Sequence, residues 1–340
     1  MQSQEDLRKS VMAQAQGAMA LNLAFIGIAN GLFDAIKRAG SVPYEELAAA
    51  AKLDPGYVQR WCEAAYGFGY LEVVGDKFSV SPLGDAFRPD APGTLMPFAV
   101  QSVLGAHMAE RTAAFMKTGE RPGERVLEEC ASVLPWFGPM LEANFSTFFE
   151  REIMPAIPAY ERVGSLGGVV LDLGCGNGWY LRRLVAKYPK LGGIGVDGFE
   201  QNIQIAREKG ESDGLSRQLM FRAGSIYGHD VSAKFAMVAM NRSLHHVWDQ
   251  RERVFRILHD TLHPGGCAVI WEPRWPDTID ALRTPKLRAL AFQNLNEHVQ
   301  GNHFLRPEEI ETAFHEVGME TETFLFGEGS EAVVVGTRKA

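Results

Sequence analysis

The chain has 340 residues, of which 46% are hydrophobic and 22% charged, a balance typical of a globular protein with room for two domains. Its formal net charge of -8 argues against a nucleic-acid partner, because phosphate contacts need clustered Lys and Arg. The four cysteines are widely spaced and form no C-x-x-C pair, so we expect reduced thiols and no metal site.

The first residues indicate neither a signal peptide nor a membrane anchor. Glu5 and Asp6 stand where a signal peptide carries bases. No apolar run in the sequence approaches the roughly 18 residues that a membrane span requires. We therefore expect a cytoplasmic protein that does not bind membranes.

Residues 1–92 are predicted to form a mainly helical winged-helix domain. Residues 20–36 read as one largely apolar helix, and residues 41–48 look like a capped helix start. Asp54 and Pro55 begin a third helix, after which a hairpin turns at residues 75–76.

A winged helix can bind DNA through its third helix. Here the segment from Pro55 to Tyr66 has Arg60 as its only cation, whereas phosphate contacts need several. A methyltransferase-like regulator with this domain as its DNA reader stays open as a less favoured alternative.

Residues 93–162 are predicted to form a helical linker that covers a ligand pocket. The segment has helical periodicity and is rich in large apolar residues, most of which we expect in the core. Two of its aromatics, Trp136 and Phe145, are candidates for substrate contact, because aromatic faces attract positive charge.

Residues 163–340 are predicted to form an α/β domain around a nucleotide site. An apolar strand ends at Asp172 and runs into three alternating glycines, Gly174, Gly176 and Gly178. Glycines allow a sharp turn after a buried strand and close approach of a ligand to the main chain. A dehydrogenase fingerprint starting at Gly174 would need glycine at 179, where the chain has Trp179.

The D-x-G-x-G-x-G pattern resembles motif I of the class I methyltransferases that use S-adenosylmethionine (SAM). The resemblance covers residues 168 to the end and implies a Rossmann-like seven-stranded sheet, with the motif I residues receiving the methionine end of SAM. Asp197 ends the second strand at the spacing of a ribose ligand. Gly224 and Ser225 follow the third strand, on the adenine side, where the family more often has Asp.

The fourth strand, residues 235–241, is apolar until Asn241, which is predicted beside the methionyl amine. His245 and His246 follow on a crevice loop, and Asp249 with Glu252 has capping-box spacing for the next helix. Residues 263–266 are expected to close that helix. Residues 267–273 form the fifth strand, and residues 321–326 and 332–335 resemble the terminal antiparallel pair of the family.

His245 occupies the position of the catalytic histidine in related O-methyltransferases. A histidine near neutral pKa is suited to removing a hydroxyl proton. The alternative is that His245 and His246 only shape the crevice. Glu272, at the end of the fifth strand, either orients His245 or caps a loop.

Two further residues are candidates for the acceptor pocket. Arg242 is a candidate to hold an acceptor carboxylate, and the alternative is a solvated surface charge. His303 stands in the stretch 301–305, where related enzymes carry a glutamate.

The resemblance also implies that residues 1–92 form a homodimer and that the acceptor is a small molecule. It does not decide between a hydroxyl and a thioether. A thioether has no proton to lose and needs no base, as in the S-methylation of 4-methylthio-2-hydroxybutyrate in dimethylsulfoniopropionate synthesis.

Overall fold

In the computed structural model, residues 3–228 and 234–339 are described. The chain divides into two compact units. Unit 1 comprises Met1–Glu110 and Cys130–Ala143, and unit 2 comprises Arg111–Glu129 and Asn144–Ala340. The boundary falls within the segment 93–162, so the residues predicted as one linker belong partly to each unit. The three-part division expected from the sequence stays a prediction.

The first part of the chain is mainly helical and contains one hairpin. Its elements are α1 (Gln4–Ala29), α2 (Leu32–Ala39), α3 (Tyr44–Ala51), α4 (Pro55–Gly67), β1 (Leu71–Val74), β2 (Lys77–Val80), α5 (Pro82–Asp85) and α6 (Met96–Phe115). The next helices are α7 (Arg125–Glu128), α8 (Leu134–Phe148), a π-helical turn (Phe149–Ile153), α9 (Met154–Ala156) and α10 (Pro158–Leu166).

The remaining elements alternate between strand and helix. They are β3 (Gly168–Leu173), α11 (Trp179–Lys187), β4 (Leu191–Asp197), α12 (Glu200–Ser212), β5 (Leu219–Ala223), β6 (Phe235–Asn241), α13 (Arg251–Thr261), β7 (Leu262–Pro273), α14 (Pro285–Glu297), α15 (Pro307–Glu316), β8 (Glu320–Phe326) and β9 (Glu331–Thr337). Short 3₁₀ turns lie at Leu244–Gln250, Ile279–Arg283, His298–Gln300 and Gly327–Gly329.

Within the described residues, unit 2 contains a sheet of seven strands in the order β5-β4-β3-β6-β7-β9-β8. Strands β3 to β7 are parallel, and β9 runs antiparallel to both β7 and β8. This confirms the predicted Rossmann-like sheet with its terminal antiparallel pair. From β3 the chain adds β4 and β5 on one side of the sheet and then β6 and β7 on the other side. Ligands of such sheets bind at this point, where the strand order reverses.

The central strands are buried on both faces because helices cover both sides of the sheet. Val170 packs into a core with residues of α10 and α11, whereas its neighbour Leu171 packs into a second core with residues of α13 and α15. This alternation explains why β3 and β6 read as continuous apolar runs. It also leaves polar side chains only at the strand ends.

Several sequence-based boundaries are corrected by the structure. The helix predicted over residues 20–36 is interrupted at Gly31, which has a positive φ of 64° and separates α1 from α2. Asp249 and Glu252 form no capping box, because the cap of α13 is Gln250 and has no side-chain hydrogen bond. Residues 263–266 belong to β7 rather than to a loop.

Other predictions for unit 1 are confirmed at the level of single elements. The Asp54 side chain accepts a hydrogen bond from the Tyr57 N–H at the start of α4, and β1 pairs with β2 around residues 75–76. The start at residues 41–48 is a helix, but its cap, Pro43, has no side-chain hydrogen bond. The assignment of this unit as a winged helix stays a prediction.

Helix α1 contradicts the expectation that no segment approaches the length of a membrane span. Its most apolar window has a mean hydropathy of 1.4, so length and composition alone would allow a span. Only 22% of that window is buried within the structure. A single helix of this kind is weak evidence for a membrane, because core helices of other proteins pass the same test.

Candidate active site

The site of interest lies at the edge of the sheet where the parallel strands end. Four parallel strands carry a polar residue at or next to their last position. Asp197 and Asn241 end β4 and β6, and Asp172 and Glu272 are next to last in β3 and β7. Because the strands are parallel, these side chains come to one edge of the sheet. Because β9 is antiparallel, Glu331 at its start pairs in register with Pro273 at the same edge.

The loop after β3 turns on glycine conformations. Gly174 has a φ of 79°, and a Cβ there would lie 2.6 Å from the Cβ of Ser243. Gly176 has a φ of 52° and faces open space, so a ligand can approach its main chain. Gly178 is the N-cap of α11. The first N–H groups of a helix point out of its N-terminal end, where they can bind a ligand.

Asp197 ties this loop to the end of β4. Its Oδ2 accepts a hydrogen bond of 2.8 Å from the Gly176 N–H, and its Oδ1 accepts bonds from the Phe199 N–H and the Asn202 Nδ2. The carboxylate is buried but retains room to accept further bonds, which is the requirement for a ribose ligand.

Asp172 and Asn241 face each other across β3 and β6. The Asn241 Nδ2 donates to the Asp172 Oδ1 at 3.2 Å, while the Asn241 Oδ1 is buried and has no hydrogen-bond partner among the described residues. Burial raises the pKa of Asp172 to about 7, although the bond from Asn241 lowers it. A buried acid and an unsatisfied amide oxygen together fit a cationic group such as an ammonium.

Gly224 and Ser225 follow β5 at the same edge. The Gly224 N–H donates to the Asp197 main-chain oxygen at 2.9 Å, and the exposed Ser225 Oγ accepts from the Tyr227 N–H at 3.2 Å. The structure thus places Gly224 directly beside the predicted ribose ligand, and the adenine-side role of Ser225 stays a prediction.

His245 forms a buried pair with Glu272. The His245 Nδ1 lies 2.6 Å from the Glu272 Oε2, and the Glu272 Oε1 accepts the Leu244 N–H at 2.7 Å. Burial raises the pKa of Glu272, but the charges and hydrogen bonds of its neighbours, His245 first, bring it below its usual range. An ionised Glu272 can only accept a hydrogen bond, so the Nδ1–H of His245 is the donor in this pair.

His246 stacks beside His245, with ring centroids 4.2 Å apart. Its Nδ1 lies 2.9 Å from the Asn302 Nδ2 and 3.2 Å from the Glu124 Oε1. Burial opposes protonation of His246, yet the hydrogen bond to Glu124 and nearby carboxylates raise its pKa above the ordinary value. The same contact lowers the pKa of Glu124.

Arg242 follows the last residue of β6 and precedes the turn that carries both histidines. It has a positive φ of 57°, unusual for a residue with a Cβ, and its Nη1 pairs with the Glu331 Oε2 at 2.6 Å. Its guanidinium lies 4.2 Å from the centre of the Phe145 ring, which in turn contacts Trp271 edge-on. The predicted candidates Arg242 and Phe145 therefore touch each other.

The roles of two other acceptor-pocket candidates stay predictions. Trp136 belongs to unit 1, where it packs against the apolar core of that unit. His303 is exposed, and its neighbour Asn302 is the residue that contacts His246. Sequence reasoning missed Glu124, Glu297, Asn302 and Glu331, because each comes from a segment whose packing no local motif reveals.

Comparisons with known proteins agree with this geometry. A family model described as a methyltransferase domain matches residues 170–266, which include most of β3, the glycine loop, Asp197 and both histidines. Residues 170–266 are therefore similar to a methyltransferase domain. The buried pair of Asn241 and Asp172 at this edge fits an ammonium group.

Relatives of the methyltransferase domain include a malonyl-[acyl-carrier protein] O-methyltransferase of Legionella pneumophila, 28% identical over 41% of this chain and 50% of that protein. The O-methyltransferase SfmM3 of Streptomyces lavendulae is 23% identical over 74% of each chain. The chain spans between about a quarter and a half of the length of the first three curated relatives that it matches.

Solved structures share the fold over the whole chain. Human N-acetylserotonin methyltransferase, determined in complex with SAM, has a TM-score of 0.74 and 17% identity, with 100% of both chains covered. The structure titled LaPhzM has a TM-score of 0.76 and 18% identity, with 98% of this chain and 99% of that chain covered.

Proposed function

We propose that the chain transfers the methyl group of SAM to a hydroxyl of a small molecule, with His245 as the base. The observation that carries this proposal is the buried pair of His245 and Glu272, four residues beyond Asn241 at the end of β6. A hydroxyl is a poor nucleophile until it loses its proton, so a positioned base accelerates its attack.

SAM supplies a methyl group already activated by its sulfonium. Asp197 would hold the ribose hydroxyls, and Asp172 with Asn241 would hold the methionyl ammonium beside the glycine loop. Transfer to the acceptor would then depend on its close approach and alignment. The residues binding the cofactor take no part in moving the proton.

The Nε2 of His245 would accept the proton of the acceptor hydroxyl as that hydroxyl takes up the methyl group. The resulting imidazolium is stabilised by Glu272, which accepts the Nδ1–H at 2.6 Å. Phe304 contacts the His245 ring edge-on, with centroids 5.2 Å apart, and keeps it in an apolar setting. Arg242, held by Glu331 over Phe145, is placed to bind a polar group of the acceptor.

S-methylation of a thioether such as 4-methylthio-2-hydroxybutyrate is the second candidate. An Arg242 clamp for the acceptor carboxylate would support it. The paired His245 and Glu272 weigh against it, because a thioether has no proton for a base to take. The regulator alternative has less support still, since the guanidinium of Arg60 bonds to Gly56 in its own helix.

The experiment is an assay of S-adenosylhomocysteine release with panels of small alcohols, phenols and thioethers. Base-assisted O-methylation predicts turnover of hydroxyl acceptors at a rate that rises with pH as the base becomes deprotonated. Turnover of thioethers alone, with no dependence on pH, would contradict the proposal and favour S-methylation.

We also propose that the chain works in the cytoplasm as a homodimer assembled through its N-terminal unit. In support, α1 exposes large apolar side chains to solvent: Leu7 (50%), Val11 (63%), Met12 (54%) and Met19 (59%). Such a surface is typical of a buried interface. Sedimentation should give twice the chain mass for the wild type and a shift towards monomer in Val11→Glu; a monomeric wild type would contradict the proposal.

A further inference from the structure

Beside the proposed base, three side chains with metal-binding atoms converge from separate elements. His245 and His246 come from the 3₁₀ turn after β6, and Glu297 is the last residue of α14. One potential ligand atom from each lies within 4.8 Å of the other two. The sequence predicted no metal site, because residues 246 and 297 are far apart in the chain.

We propose that His245, His246 and Glu297 bind a divalent transition-metal ion, with Zn²⁺ or Co²⁺ as the probe. Two imidazoles and one carboxylate suit first-row transition metals and leave coordination positions open. An ion at the centre of three atoms 4.8 Å apart is about 2.8 Å from each, so a contraction of about 0.7 Å gives normal bond lengths of about 2.1 Å.

The outer contacts of the three side chains are those of a supported metal site. Ligating histidines usually place their other ring nitrogen against a carboxylate or other polar group. The Nδ1 of His245 donates to Glu272, and the Nδ1 of His246 lies 3.2 Å from the Glu124 Oε1, so a carboxylate accepts from each Nδ1–H and Nε2 of each ring is the atom left for an ion. These contacts orient both rings before any ion arrives.

Glu297 is supported in the same way. Its Oε2 accepts hydrogen bonds from the Gln300 Nε2 at 3.0 Å and the Asn302 Nδ2 at 3.3 Å. Both bonds fall on one carboxylate oxygen, so Oε1 remains available for an ion. Asn302 therefore contacts two of the three ligands at once and is a positioning residue for the site.

An ion bound by this cluster would affect the proposed methyl transfer. His245 and Glu297 are buried, and His246 is partly exposed, so one side of the cluster is open to ligands from outside. An ion there would occupy the lone pair that the proposed methyl transfer uses. This consequence rests on the proposed function, but binding of the ion itself does not.

The test is a titration of tag-free, metal-stripped protein with Zn²⁺ by calorimetry and with Co²⁺ by visible absorption. We expect one ion per chain and a Co²⁺ absorption that Zn²⁺ abolishes. Glu297→Gln and His246→Gln should each weaken binding at least about tenfold, and Asn302→Ala by about 10 to 100-fold. His303→Gln, an exposed neighbour outside the cluster, should bind as the wild type does.

SAM affinity, measured by calorimetry on every variant, reports whether the domain is folded. The proposal is overturned if the wild type binds no ion at one equivalent. It is also overturned if Glu297→Gln and His246→Gln bind SAM and metal as the wild type does. Because metal binding is measured without turnover, failure of this proposal and failure of the methyl-transfer proposal give different results.

Discussion

The two halves of the candidate active site are assembled in different ways. The cofactor half, formed by Asp172, the glycine loop, Asp197 and Asn241, comes almost entirely from one stretch of β3, loop and β4. The acceptor half consists of Glu124, His245, His246, Glu272 and Glu297, which come from four separate parts of the chain. A cofactor common to many enzymes is bound by a local motif, whereas the acceptor half depends on tertiary packing.

Both halves bury charge, but they stabilise it differently. The Asp172 carboxyl accepts a hydrogen bond from Asn241, the one side-chain donor to it within the described part of the chain, and burial raises its pKa to about 7. Glu272 is equally buried, yet its pKa lies below the usual range because of its neighbours, His245 foremost. The first carboxyl is therefore left in need of a cation, and the second already has one when His245 is protonated.

The largest expected effect is the loss of kcat on substitution of His245, in the acceptor half. His245→Gln removes the proposed base while keeping a polar side chain of similar length. We expect kcat for hydroxyl acceptors to fall about 10² to 10⁴-fold, the contribution of a general base. Steady-state release of S-adenosylhomocysteine measures it, and kcat within a factor of two of the wild type would rule out the base.

Glu272→Gln tests whether the acceptor half works as a pair. The variant loses the charge that stabilises the imidazolium of His245, so we expect kcat to fall about 100-fold. A loss confined to kcat, with the dissociation constant of SAM unchanged, separates this role from a structural one. Glu322→Gln, on the exposed face of β8, is the matched control.

Asp197→Ala tests the cofactor half. It removes an acceptor for the ribose hydroxyls and frees the Gly176 N–H, so SAM should bind about 10 to 100-fold more weakly. Calorimetry with SAM measures the change. An unchanged dissociation constant would remove Asp197 from the cofactor site.

The smallest effect is the pH dependence of SAM binding. A folded-state pKa of about 7 for Asp172 means that the folded chain holds a proton which the unfolded chain releases near pH 4. Folding stability should therefore fall as pH rises through this window. An ammonium prefers the ionised acid, so SAM affinity should rise about tenfold from pH 6 to pH 8.

Asp172→Asn gives the control for this effect, because it keeps the shape of the side chain and cannot ionise. Its SAM affinity should be weaker and nearly flat with pH. A wild-type affinity that is equally flat would show that Asp172 does not face the ammonium.

The sequence predicted the cofactor half of the site better than the acceptor half, because most residues of the cofactor half lie in one stretch of chain. The strand that ends at Asp172 and the following glycines predicted a turn, a sheet edge and a cofactor in one stretch, and β6 was predicted with its observed bounds. The pairing of His245 with Glu272 was one of two possibilities, because it requires β6 and β7 to be neighbours.

The rest could not be read from local patterns. Glu297 and Asn302 reach His246 only because α14 and the turn after it pack against the end of β6. Glu124 lies in a short segment with no motif at all. The sequence pointed to His303, one residue from Asn302. The resemblance to related enzymes located the stretch 301–305 but did not show which side chain in it faces His246.

The most direct test that the cofactor half and the acceptor half act separately is the dissociation constant of SAM. It is measured by calorimetry for Asp197→Ala and His245→Gln side by side with the wild type. Independent halves predict a weakening of at least about tenfold for Asp197→Ala and a change of less than about twofold for His245→Gln. Equal losses in both variants would contradict the account, because one side chain of the acceptor half would then be holding the cofactor.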